Sequence, residues 1–117
     1  MTNIKSYTDI EQSQKLIEIL PLESADMCYP LPCEDGDKPL LEQGGFGSTP
    51  CWSLTALISI LPDSIYDNTD EYSQLEFSKK SVAYHDLNDG IKIGSLKDNL
   101  IDACVAMIDK LHEQKLL

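Results

Sequence analysis

The run YSQLEFSKKSVAYHDLNDGIKI, residues 72–93, decides the reading of this chain. Apolar and polar residues alternate along it with the two-residue period of a strand, and two turn signals, Lys79-Lys80 and Asn88-Asp89-Gly90, cut it into Tyr72–Ser78, Ser81–Asp86 and Ile91–Ile93. Three short strands joined in this way predict an antiparallel β-meander. A meander alone cannot shield its apolar face, so helices must cover it.

Helical periods stand on both sides of the meander. Downstream, a helix is expected from near Ser95, with Asp98 completing a capping box and with Ile101, Cys104, Val105, Ile108 and Leu111 on its buried stripe. Upstream, Leu54, Leu57, Ile58 and Leu61 recur at helical spacing. There Thr49 is the expected cap, Pro50 suits the first turn and Pro62 is the stop. A polar connection containing Asp63, Asp67, Asp70 and Glu71 separates this helix from the strands. A first helix is predicted from Asp9 to about Leu20, with Thr8 and Glu11 as capping box, Leu16, Ile17 and Leu20 buried, and Pro21 ending it.

Between the first two helices, residues 21–47 read as a loop-rich insertion broken by Pro30, Pro32, Pro39, Gly36, Gly44, Gly45 and Gly47. Within it, Met27–Leu31 and Lys38–Glu42 could pair across Asp35-Gly36-Asp37. The expected fold is therefore α+β: one small domain over residues 1–117, with helices packed on one face of a short antiparallel meander.

Length and charge narrow the function. A chain of 117 residues is expected to form a single core, and no apolar run reaches the ~20 residues that cross a bilayer. The start lacks a cationic and apolar leader, so the expected compartment is the cytoplasm, where cysteines stay reduced. Twenty Asp and Glu against nine basic residues, every one a Lys, give a formal charge of −11. Without Arg the chain lacks the planar fork that grips phosphate, and its field repels polyanions, which argues against direct nucleic-acid binding and for a basic partner. Solubility is the plain alternative for such a charge.

No constellation reads as a catalytic centre. Cys28, Cys33, Cys51 and Cys104 do not form the two tight knuckles of a structural zinc site, so no metal is expected. The segment Gly44-Gly45-Phe46-Gly47-Ser48-Thr49-Pro50 leads into a helix but lacks both the Gly-Lys-Ser/Thr ending of a P-loop and the dinucleotide fingerprint. It reads as a capped turn, or else as a loop closing over a small anionic ligand through Gly45, Phe46 and Thr49. His85 and His112 are the only histidines, and nothing in sequence sets a nucleophile beside either one. Trp52 reads as core or helix staple, or else, with Tyr29, Phe46 and Tyr72, as an anchor on a recognition surface.

Three pieces carry a resemblance: Ser24-Ala25-Asp26-Met27; Pro50-Cys51-Trp52-Ser53-Leu54 with Ala56-Leu57 and Leu61-Pro62; and Asp98-Asn99-Leu100-Ile101-Asp102-Ala103-Cys104 with Met107-Ile108 and Leu111-His112-Glu113. In this order they resemble a set of small proteins, without assigned activity, from gut Bacteroidetes, their phages and their mobile elements. Those relatives tend to have Ala in front of the Trp, which weakens Cys51 as a ligand. The resemblance implies an accessory gene of phages or mobile elements, a setting in which small acidic proteins often bind and block a host component.

The expected function is non-enzymatic binding of a host protein with a basic surface, through an acidic and aromatic surface that includes Trp52, Asp63, Asp67, Asp70 and Glu71. The alternative is a nucleotide-type ligand held by the glycine loop. No cofactor is expected, and no membrane partner.

Overall fold

The computed structural model describes residues 5–29, 39–40, 48–66, 72–86 and 90–117. Along these run α1 (Ile10–Ile17), a 3-10 turn (Leu22–Ser24), β1 (Met27–Tyr29), β2 (Thr49–Cys51), α2 (Leu54–Ile60), β3 (Ser64–Tyr66), β4 (Tyr72–Phe77), β5 (Ser81–Asp86), β6 (Gly90–Leu96) and α3 (Leu100–Glu113). Three helices and two separate antiparallel sheets make an α+β chain, as its alternating and helical periods require. Its contacts gather into two compact units, Lys5–Ile60 and Leu61–Leu117.

In the second unit the meander has four strands in the order β3-β4-β5-β6, every pair antiparallel. The sequence reading lacks β3, because three residues are too few to show a period. It also stops the last strand at Ile93, whereas β6 continues to Leu96 and sets Gly94 opposite Ala83 and Ser95 opposite Val82. Ser95 is thus a strand residue and does not open the last helix. Asn99 opens it instead: its side-chain oxygen accepts the Asp102 N–H at 2.9 Å, one of the amides a helix start leaves unpaired. The stripe Ile101, Cys104, Val105, Ile108 and Leu111 is buried as its period predicts, joined by Ala103 and Met107. Helix α3 lies on β5 and β6. Fully buried Val82 and Tyr84 alternate with outward residues, and the Tyr84 hydroxyl donates to the Pro62 carbonyl at 2.7 Å.

In the first unit α1 starts one residue later than its expected box. Asp9 accepts the Gln12 N–H at 2.7 Å, and the Gln12 side chain accepts the Asp9 N–H at 3.1 Å. Thr8 is not the cap, because its buried hydroxyl shares a hydrogen bond with Ser13 at 2.8 Å and accepts the Trp52 N–H at 3.1 Å. Ser13, Leu16 and Leu20 are buried, while Ile17, read as part of the stripe, is 39% exposed.

The second helix also starts later than expected. Thr49, Pro50 and Cys51 extend as β2 and pair with Tyr29, Cys28 and Met27 of β1. Here Thr49 keeps the extended backbone that suits a β-branched residue, and a two-stranded sheet accommodates Pro50, which has no N–H to donate. The hydroxyl that caps α2 belongs to Ser53, which accepts the Ala56 N–H at 3.2 Å. Leu57 and Leu61 are buried and Ile58 is 37% exposed. The expected pairing across Asp35-Gly36-Asp37 survives as a backbone bridge between Cys28 and Leu40, bonded at 3.0 and 2.7 Å; the turn itself lies outside the described residues.

Candidate functional site

The residues singled out in the sequence fall in different places. Gly45, Phe46, Asp67, Asp70, Glu71 and Cys33 lie outside the described residues. Thr49 is half-buried in β2, and Asp63 is exposed just before β3. Trp52 is not a surface anchor. It has no exposed area, and its indole N–H donates to the Ser24 hydroxyl at 2.9 Å. The connection between β2 and α2 turns it inward, with the next residue, Ser53, donating its N–H to the Asp26 carboxylate at 2.9 Å. Tyr29 is likewise buried, its hydroxyl donating to the Thr8 carbonyl at 2.7 Å. Two of the aromatics expected on a recognition surface are therefore core.

Burial makes Cys51 and Cys104 poor nucleophiles. Cys28, Cys51 and Cys104 are free and buried. Cys51 donates to the Thr8 carbonyl at 3.3 Å and accepts from the Thr8 hydroxyl at 3.6 Å. Burial pushes its pKa up, against the opposing effect of its hydrogen bonds. Cys104 is pushed up to about 12 by burial alone. A reactive cysteine needs the opposite, exposure and a lowered pKa. Among the described residues no group of three His, Cys, Asp or Glu could hold a metal ion. His85 Nε2 lies 3.2 Å from a carboxylate oxygen of Glu76, and this is an orienting or charge pair with no Ser or Cys hydrogen-bonded to the ring among the described residues. His112 sits exposed in the last turn of α3, where a cation complements the helix end.

Among the described residues two surfaces remain. On α1 the residues opposite the buried Ser13, Leu16 and Leu20 are Glu11, Gln14, Lys15 and Glu18, with Ile10 and Ile17 flanking them at 38% and 39% exposure. Two carboxylates, Glu11 and Glu18, with Lys15 between them, thus lie beside a pair of exposed isoleucines seven residues apart. On the sheet, the face of β4, β5 and β6 defined by Glu76, Ser81, Ala83, His85, Gly94 and Leu96 carries a groove of about 460 Å³. Strand alternation puts these residues on the face turned away from Val82 and Tyr84. Ala83 and Gly94 stand opposite each other in the register, and their minimal side chains leave the depression open. Sequence reasoning missed this groove because it ended the third strand before Gly94. The signal was the small residue at that position.

Comparison with protein families, with curated proteins and with solved structures returns no match to this chain.

Proposed function

We propose that this protein is a non-enzymatic binding protein that docks on a basic surface of a host protein through the outward face of α1. In the setting implied by the resemblance to phage and mobile-element proteins, it blocks or redirects that host component. The observation that carries the proposal is the pairing of exposed Glu11 and Glu18 with exposed Ile10 and Ile17 on a helix whose other face is buried. The chain's charge of −11 adds a field that steers a basic partner toward it. Isoleucines supply contact area, and the carboxylates supply sign and orientation. Asp63, in the second unit, is also exposed.

The test is capture from bacterial lysate by the tagged protein and by Glu11→Lys/Glu18→Lys, with bound proteins quantified by mass spectrometry. A partner retained by the parent and lost by the reversal supports the proposal. Its association rate should fall at least about tenfold as salt is raised, with a smaller change in lifetime. Equal recovery by both proteins, or an association rate indifferent to salt, refutes it.

A further inference from the structure

One end of the sheet groove lies beside a cluster of lysines, while Glu76 within the groove is paired with His85 at 3.2 Å. Lys79 and Lys80 occupy the turn between β4 and β5, which is closed by a hydrogen bond from the Ser78 N–H to the Ser81 carbonyl at 2.9 Å. Lys97 follows β6 directly, and its N–H donates to the Lys80 carbonyl at 3.0 Å, so the three lysines share one end of the sheet. All three are exposed, and none has a carboxylate partner among the described residues. Leu96, beside them, is 75% exposed, the most exposed large apolar side chain among the described residues. A groove floored by Ala83 and Gly94 thus ends beside three ammonium groups that have no carboxylate partner among the described residues, in a chain whose total charge is −11.

We infer that this groove docks a short segment of a partner protein that carries large apolar side chains next to carboxylates. The apolar side chains lie over Ala83 and Gly94 against Leu96, and the carboxylates meet Lys79, Lys80 and Lys97. At physiological ionic strength charges are screened beyond about 8 Å, so the segment's carboxylates are governed by the lysines they touch at the groove's end more than by distant acidic groups, and Glu76, the carboxylate within the groove, is already paired with His85. The groove belongs to the Leu61–Leu117 unit and the outward face of α1 to the Lys5–Ile60 unit, so either can fail without the other.

The probe is a fluorescein-labelled octapeptide with two leucines flanked on each side by three glutamates, added to the full chain at 0.15 M salt. Anisotropy reports affinity and amide NMR shifts report location. The expected result is saturable binding with shifts at Ala83, Gly94, Leu96 and Lys97. Binding should weaken by about tenfold or more in Lys79→Glu/Lys80→Glu, and similarly in Leu96→Ser, both at exposed positions. A peptide with lysines in place of the glutamates should bind far more weakly. Three results overturn the inference: no shifts in the groove, equal binding of the lysine peptide, or concentration-dependent broadening of the groove amides without peptide, which would make a second copy of the chain the occupant.

Discussion

The same substitution, serine to alanine, should change stability in opposite directions at two positions of this chain. Ser95 is 5% exposed, and its hydroxyl is buried with no hydrogen-bond partner among the described residues. An unmade hydrogen bond at a buried polar group costs about 1–3 kcal/mol. Ser95→Ala removes that penalty and leaves a void the size of one oxygen atom, on the order of 20 Å³, which at ~24 cal/mol per Å³ costs about 0.5 kcal/mol. The net expectation is stabilisation by about 1 kcal/mol. Ser24 is the contrast. Its hydroxyl accepts the Trp52 indole N–H at 2.9 Å and donates to the Pro21 carbonyl at 2.6 Å, so Ser24→Ala strands a fully buried N–H and should destabilise by about 1–3 kcal/mol. Urea denaturation of both variants, followed by circular dichroism, gives the two signs directly. Trp52 emission adds a local readout for the Ser24 variant, since the only Trp of the chain lies in the Lys5–Ile60 unit. The reasoning fails if Ser95→Ala costs as much as Ser24→Ala.

Ile108 has no exposed area on α3, so Ile108→Ala should cost about 2–5 kcal/mol, and an unchanged denaturation midpoint would show the helical period to be misread. Asn99→Ala removes the cap of the same helix and should cost about 1 kcal/mol, read as a lowered midpoint and as faster amide exchange confined to the first turn. Stability should fall in alkali. The Cys104 thiol is raised from an ordinary 9.0 to about 12, so the folded chain keeps a proton that the unfolded chain releases. Its contribution is complete below about pH 9 and is lost as pH rises toward 12. Tyr29 and Tyr84, raised by burial, act in the same direction. Cys104→Ala should therefore flatten the pH dependence between these limits, and an unaltered slope would contradict the assignment.

Long-period features were legible in the sequence and local ones were not. The stripe of α3 could be read because its apolar residues recur over more than three turns, and β4 and β5 because alternation persists for six residues in each. Helix starts were misplaced wherever a second capping residue competed. Thr8 and Thr49 have the right chemistry, but one is used inside the core and the other in a sheet, interactions between segments distant in the chain. Trp52 could be read either as core or as a surface anchor, and its burial depends on Ser24, twenty-eight residues earlier. The exposed row on α1 was within reach, since Glu11 and Glu18 lie opposite Leu16 on the helical wheel. The groove was out of reach, because it depends on Ala83 meeting Gly94 across a register that the sequence does not display.

The bond between Lys110 and the carbonyl of Gly94 has a consequence for how this chain behaves in a crowd. Strand β6 is the last of its sheet. Because Lys80 and Lys97 form a hydrogen-bonded pair, the alternation of an antiparallel ladder turns the Gly94 carbonyl away from β5, toward the open side. Such a row of backbone groups is a template on which another polypeptide can build a further strand, and proteins commonly blunt it with charged side chains. Here an ammonium group from α3 occupies one rung of that template and leaves a positive charge in front of the rest. Acetylation of this one lysine, or Lys110→Met, would unmask the rung without disturbing the core, and the same sheet would then be open to strand-by-strand growth into aggregates.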